Sequence, residues 1–292
     1  MKVLVTGSSG RVGRAIYVRL YRDHEIVGLD QSPSSTADIV GSIADAALLE
    51  RALRGVDAVV HTAAFHAPHV DIIPDAQFER INVQATHNLA RSAVQAGVRR
   101  FVFTSTTALY GSAATPGPKA GWVDESLAPQ PETVYHRTKL AAEALLEVIS
   151  REAALAVTVL RMSRCFPEPA PVMTVYRLHR GVDARDVADA HALALTSAPG
   201  GFRRFVISGA TPFLPEDVEG LAGHAPAVLE RRAPELVEAF ARRGWRLPIT
   251  IDRVYSPMLA MQELGWRPIH DFREVLRMLD EGSSEVLPPR NH

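Results

Sequence analysis

Lys2-Val-Leu-Val-Thr-Gly-Ser-Ser-Gly-Arg-Val-Gly-Arg-Ala-Ile-Tyr-Val-Arg-Leu20 is the stretch that decides the fold. A short apolar run, Val3 to Val5, meets glycines at 7, 10 and 13, and a helical pattern begins at once behind them. That is strand, tight turn, helix. Glycines at this spacing let the backbone turn sharply, let a pyrophosphate approach main-chain N–H groups, and let the helix pack close to the strand. The unpaired amides and positive dipole end at the helix N-terminus favour an anion at the same place. The expected phosphate cradle therefore runs over Gly7, Ser9, Gly10, Arg11, Val12 and Gly13.

Working outward, Glu25-Ile-Val-Gly-Leu-Asp30 reads as a second strand ending in an acid. A carboxylate there accepts from the 2′-hydroxyl of a dinucleotide's ribose and repels a 2′-phosphate, so Asp30 favours NAD over NADP. Further short apolar strands follow at 39–43, 55–61, at the start of 100–111, at 156–161 and at 204–208, separated by helical patterns at 46–53, 75–97, 135–152 and 184–197. This alternation predicts a parallel sheet with helices on both faces. The fold class is α/β: a Rossmann-type doubly wound parallel sheet with a small C-terminal substrate lobe. Residues 1–163 and 184–210 are expected to form the dinucleotide-binding domain. Residues 164–183 and 211–281 are expected to form the lobe, with 282–292 as a frayed tail. Residues 112–132 read as a long loop, and Asn82 inside a helical pattern reads equally as glue for a loop or as an exposed residue.

Composition narrows the function. At 292 residues, 47% apolar, 22% charged and a net charge of −1, the chain has an ordinary globular composition. It offers no electrostatic case for nucleic acid or an anionic membrane. Met1 leads straight into the first strand and no apolar stretch reaches membrane-spanning length, so a cytoplasmic protein without a signal peptide is expected. The single cysteine, Cys165, fits a reducing compartment, and the eleven histidines form no metal-ligand spacing, so no metal is expected.

The catalytic signal is Tyr135-His-Arg-Thr-Lys139. Residues four apart share a helix face, so the Lys139 ammonium is expected near the Tyr135 phenol, lowering its pKa and making it a general acid/base. The chain has only three lysines against 29 arginines. With so few, an accidental Tyr-x-x-x-Lys is expected only about 0.06 times. A hydroxyl at the carboxyl end of the fifth strand should align a substrate oxygen, with Thr104, Ser105, Thr106 and Thr107 as candidates.

Taken together, Thr6-Gly-x-x-Gly-x-x-Gly13, Asp57-Ala-Val-Val-His-Thr-Ala-Ala64, Asn82-Val-x-x-Thr-x-Asn-Leu89, Phe101-Val-Phe-Thr-Ser-Thr-Thr-Ala-Leu-Tyr-Gly111, Tyr135-x-x-x-Lys139, Leu160-Arg161, Arg185-Asp-Val-Ala-Asp189 and Leu264-Gly-Trp266 resemble the extended short-chain dehydrogenases/reductases of the NAD-dependent epimerase/dehydratase family. The resemblance spans nearly the whole chain. It implies Thr106 as the catalytic hydroxyl beside Tyr135 and Lys139, and Ser42, Ile43, Thr62, Ala63, Ala64 and Thr104 as further cofactor contacts. It also implies His66 and Thr107 near the substrate, and a homodimer. Two departures point away from nucleotide-linked sugars: Arg161-Met-Ser-Arg164 replaces the family's Arg-Pro-x-Asn, and only about twenty residues precede Arg185 where a longer insertion is usual. The run from Arg161 to Pro169 instead resembles uronate dehydrogenases, in which an arginine binds the sugar carboxylate; Arg164 and Arg177 are the candidates here. The expected function is an NAD-dependent oxidoreductase acting on a hydroxyl or carbonyl of a small sugar or sugar acid. The alternatives are an epimerase or dehydratase of a nucleotide-sugar, and a non-catalytic NAD-sensing protein, which would not need Tyr135, Thr106 and Lys139 together.

Overall fold

The computed structural model describes residues 1–153, 155–198 and 200–289. Seven strands form one sheet: β1 (Lys2–Thr6), β2 (Glu25–Asp30), β3 (Ile39–Val40), β4 (Ala58–His61), β5 (Arg100–Thr106), β7 (Ala156–Met162) and β8 (Phe202–Ile207). Their order is β3-β2-β1-β4-β5-β7-β8, and every pairing is parallel. Between β1 and β4 the order reverses, with Val3 opposite Ala58 and Val5 opposite Val60. A crevice opens at such a reversal, at the carboxyl ends of the strands. Val3, Leu4 and Val5 are fully buried because helices cover both faces, which is why β1 is uniformly apolar rather than alternating.

On one face α1 (Arg11–Leu20) and α7 (Ala184–Thr196) pack Ile16, Leu20, Val187 and Ala190 against β1 and β4. On the other, α2 (Ala46–Ala52), α4 (Thr86–Gln95) and α5 (Val134–Ala153) contribute Leu48, Leu89, Ala142 and Leu146. A separate apolar cluster joins Leu221, Leu229, Leu236 and Phe240 of α8 (Val218–Arg232) and α9 (Pro234–Arg242). No helix among the described residues is long and apolar enough to cross a membrane.

Several expectations change here. The stretch 112–132 is not wholly loop: Gly121–Val123 forms β6, which pairs in parallel with β9 (Arg253–Tyr255). The tail is tied down rather than frayed as far as Leu287, whose N–H donates to the Glu168 carbonyl and whose carbonyl accepts from Ala170 N–H; residues 290–292 lie outside the described residues. The helical stretch at 75–97 carries a π-helical segment, Glu79–Ala85, between α3 (Asp75–Phe78) and α4. Asn82 sits in that segment and is glue, not surface. Its side chain accepts from Phe65 N–H (2.8 Å) and donates to Phe65 C=O (2.9 Å) and Thr138 Oγ1 (3.2 Å). The loop after β4 is thereby fastened to α5.

Candidate active site

A cavity of about 630 Å³ lies at the carboxyl ends of β1, β2, β4, β5 and β7. At one end is the glycine turn. Gly7 adopts φ +74°, and a Cβ there would stand 2.4 Å from Thr62 Oγ1 and 2.6 Å from Ala63 N. A Cβ on Gly13 would stand 2.0 Å from the Gly7 carbonyl oxygen. Only glycine allows this closeness. Asp30 is held in place: its Oδ2 accepts from Ser9 N–H (3.0 Å) and its Oδ1 from Ser32 N–H (2.8 Å). The cradle and the fixed acid fit an NAD-type dinucleotide, with amides for a pyrophosphate and a carboxylate for a ribose diol. Arg11 lines this end too, donating from Nε to the Cys165 carbonyl (2.9 Å) and pairing with Glu285.

At the middle, α5 and β5 bring three groups together. Tyr135 is half-buried on the cavity wall, which Thr106 also lines; the Thr106 hydroxyl accepts from Ala108 N–H at 3.1 Å. Lys139 is buried, donating from Nζ to the Thr104 carbonyl (2.6 Å) and lying 4.0 Å from the Phe103 ring centroid. Burial pulls its ammonium down to about 7, against the opposing charge of Glu143. Burial also pushes the Tyr135 phenol up to about 12, with the Thr106 hydroxyl pulling the other way. This corrects the expectation that Lys139 lowers the phenol: desolvation outweighs the other influences on Tyr135.

Thr104 has a second bond. Its hydroxyl meets His191 Nε2 at 2.7 Å, and since His191 Nδ1 faces the Val187 carbonyl at 2.8 Å, Nδ1 carries the proton and Nε2 accepts. His61 lies under the site between the hydroxyls of Thr6 and Thr86, and burial lowers it to about 3, so it stays neutral.

At the far end, His66 stacks on Phe166 with centroids 5.9 Å apart and packs edge-on to His69 at 4.5 Å. Thr107, Arg164, Arg180, Arg253 and Tyr255 complete the lining. Arg164 pairs with Glu168. Arg180 and Arg253 share one carboxylate, Asp252, at 3.3 and 2.7 Å, so this end of the cavity carries a surplus of positive charge.

Of the residues expected from sequence, Gly7, Ser9, Gly10, Arg11, Val12, Gly13, Asp30, Ile43, Thr62, Ala63, Ala64, His66, Thr104, Thr106, Thr107, Tyr135, Lys139 and Arg164 all line this one cavity. Two do not. Ser42 turns away, accepting from Ala44 N–H and Gln31 Nε2, a turn-stabilising role its short hydroxyl suits. Arg177 is buried outside the cavity and paired with Asp183 at 2.9 Å, so its charge is already met. Arg180, Arg253 and Tyr255 escaped the sequence reading. They reach the site through β9 and the chain before α7, and no local pattern announces that pairing.

Residues 3–171 match the model of the NAD dependent epimerase/dehydratase family. Among curated relatives, the dTDP-D-glucose 4,6-dehydratase of Mus musculus is 31% identical over 186 residues, covering 56% of this chain and 50% of that protein, so the match spans half of the relative's length. The L-arabinose 1-dehydrogenase (NAD(P)(+)) of Haloferax volcanii is 28% identical over 218 residues, 70% of this chain and 82% of that one. Among solved structures, a short-chain dehydrogenase/reductase superfamily protein from Agrobacterium tumefaciens with bound NAD superposes with a TM-score of 0.71 over 95% of both chains at 23% identity, a likeness of fold.

Proposed function

The chain belongs to the NAD-dependent epimerase/dehydratase family, and on that premise we propose that it is an NAD-dependent oxidoreductase acting on a hydroxyl of a small sugar or sugar acid. The observation that carries this reading is the convergence of Tyr135, Thr106 and Lys139 on the same cavity as the glycine cradle and Asp30. Bound there, the dinucleotide supplies an acceptor for the hydrogen and two electrons that leave the carbinol carbon. The protein's own residues handle the proton and the orientation. Gly7 to Gly13 offer main-chain amides to the pyrophosphate, and Asp30 takes the ribose hydroxyls. Thr106 donates to or accepts from the reacting oxygen and holds it against Tyr135. Tyr135, as phenolate, takes the hydroxyl proton, and the negative charge on the phenolate keeps Lys139 protonated in turn. His66 and Phe166 present a stacked pair of rings at the reacting end.

The substrate's chemistry is read from the far end. Arg180 and Arg253 outnumber the one carboxylate between them, which favours a substrate bearing an acid group. A nucleotide-sugar epimerase or dehydratase is the second reading, supported by the match to a dTDP-D-glucose 4,6-dehydratase; a diphosphate would use the same arginines. Against it stands Arg164 in place of the family's asparagine, with only α6 (Ala170–Tyr176) in the short stretch before α7. A panel of free sugars, sugar acids and nucleotide-sugars mixed with NAD separates the two. Net NADH with a sugar acid supports the first, and an isomerised or dehydrated product without net NADH supports the second.

Cofactor choice gives its own test. Asp30→Ala removes the charge that repels a 2′-phosphate and the acceptor for the 2′-hydroxyl, so the ratio of NADP to NAD affinity is expected to rise about tenfold or more. Titration of both dinucleotides against the purified variant reads it directly, and an unchanged ratio removes Asp30 from that role.

A further inference from the structure

Beneath the cavity, on the side of β5 away from the glycine cradle, lies a buried ionic cluster that the mechanism above does not use. Glu143 follows Tyr135 and Lys139 at the same four-residue interval on α5, so the three form one stripe down the helix. Its side chain is 1% exposed. Ser105 Oγ donates to Glu143 Oε1 at 2.5 Å, and Arg161 Nη2 and Nε donate to Oε2 at 2.6 and 3.2 Å. Arg204 Nε adds a contact at 3.3 Å. Ser105 and Arg161 are register partners across β5 and β7, so both project to the same face of the sheet. Arg161 continues to the Tyr110 hydroxyl (2.9 Å), which donates to the Asp124 carbonyl (2.8 Å).

Three apolar side chains of similar volume would seal this layer at no loss, since a buried ion pair forfeits much of its attraction to desolvation. What an ionic cluster provides and an apolar one does not is direction. Ser105 lies between Thr104, whose carbonyl accepts from Lys139 Nζ, and Thr106, which lines the same cavity as Tyr135. The Thr104 carbonyl and the Ser105 N–H belong to one peptide plane. We propose that Ser105, Glu143 and Arg161 are positioning residues that lock the end of β5 to α5, so that Thr104 and Thr106 keep their places against Lys139 and Tyr135. The inference rests on reading this cavity as the catalytic centre, but the first arm of its test does not require a substrate.

With only three lysines in the chain, protein labelled at lysine Cε gives three resonances, and Lys139 is assigned by its loss in Lys139→Met. In the wild type the Lys139 signal is expected to titrate well below the usual lysine range, because the ammonium is buried. In Ser105→Ala its midpoint is expected to move while those of Lys2 and Lys119 stay, because the Thr104 peptide is released. Once a substrate is in hand, kcat should fall about 10- to 100-fold with KM within about threefold, as for a small misplacement of reacting groups. An unchanged Lys139 midpoint overturns the proposal whatever happens to the melting temperature, and so does a moved midpoint with kcat within about twofold of the wild type, since a change in the Glu143 charge alone would shift the lysine and leave Thr104 and Thr106 in place. If the oxidoreductase reading fails and the positioning holds, the midpoint still moves although the wild type turns nothing over.

Discussion

Replacing Tyr135 by phenylalanine is expected to lower kcat about a thousandfold, the range general acid/base groups contribute, while NAD affinity stays within about threefold. The two halves of that expectation come from different features. The ring of Tyr135 fills part of the cavity wall and the phenylalanine ring replaces it, so the cradle at Gly7 to Gly13 and the acid at Asp30 are untouched. Only the phenol hydroxyl is lost. Its protonation sets the sign of the pH dependence. Burial raises the phenol to about 12, so the basic form is scarce at neutral pH and grows with pH. Oxidation by the wild type should therefore quicken from neutral to alkaline pH, and the residual rate of Tyr135→Phe should lack that rise. A variant within about tenfold of the wild type, with the rise intact, would assign the proton to another group.

The second large effect concerns Gly13. A methyl group there would stand 2.0 Å from the Gly7 carbonyl oxygen, 2.8 Å from the Gly7 carbonyl carbon and 3.0 Å from Ser8 Cα. All three are backbone atoms, so the turn itself must open. Overpacking of this kind costs about 1–3 kcal/mol, and a displaced turn no longer presents its amides together. Gly13→Ala should lower NAD affinity about a hundredfold and depress the melting temperature. Gly10 is the internal control. Its Cβ would meet only the Gly7 carbonyl, at 3.4 Å, which is ordinary contact. Gly10→Ala should therefore keep the wild-type melting temperature, and any loss of NAD affinity there comes from the methyl group meeting the pyrophosphate rather than from an opened turn. Equal, small losses at both glycines would mean that the pyrophosphate does not rest on this turn.

These two sites also show why parts of the molecule were readable from its residues. The glycine turn, the acid at Asp30 and the Tyr135–Lys139 pair are local patterns, complete within a few residues of chain, and local spacing is what a sequence displays. The parallel sheet followed from the same source, because alternating short apolar runs and helical periods have few other solutions. Contacts across the chain carry no such signature. β9 reaches β6 over more than a hundred residues and brings Arg253 and Tyr255 to the cavity, yet Arg-Val-Tyr is an unremarkable triplet. Arg177 looked available because Asp183, its partner at 2.9 Å, is one acid among 33 in the chain. The protonation of Tyr135 was misjudged for a related reason. Spacing places a lysine one turn away, but only the packed interior decides whether charge or desolvation prevails, and only it shows Lys139 Nζ donating to the Thr104 carbonyl.

If this cavity oxidises a hydroxyl and releases the reduced cofactor, NADH and carbonyl product accumulate together. The stoichiometry of NADH to carbonyl product tests it most directly, measured with purified protein, added NAD and a sugar acid over many turnovers. One NADH is expected for each carbonyl formed, and neither product from Tyr135→Phe above about a thousandth of the wild-type rate. A converted sugar with no net NADH, or turnover that needs no added NAD, would contradict it.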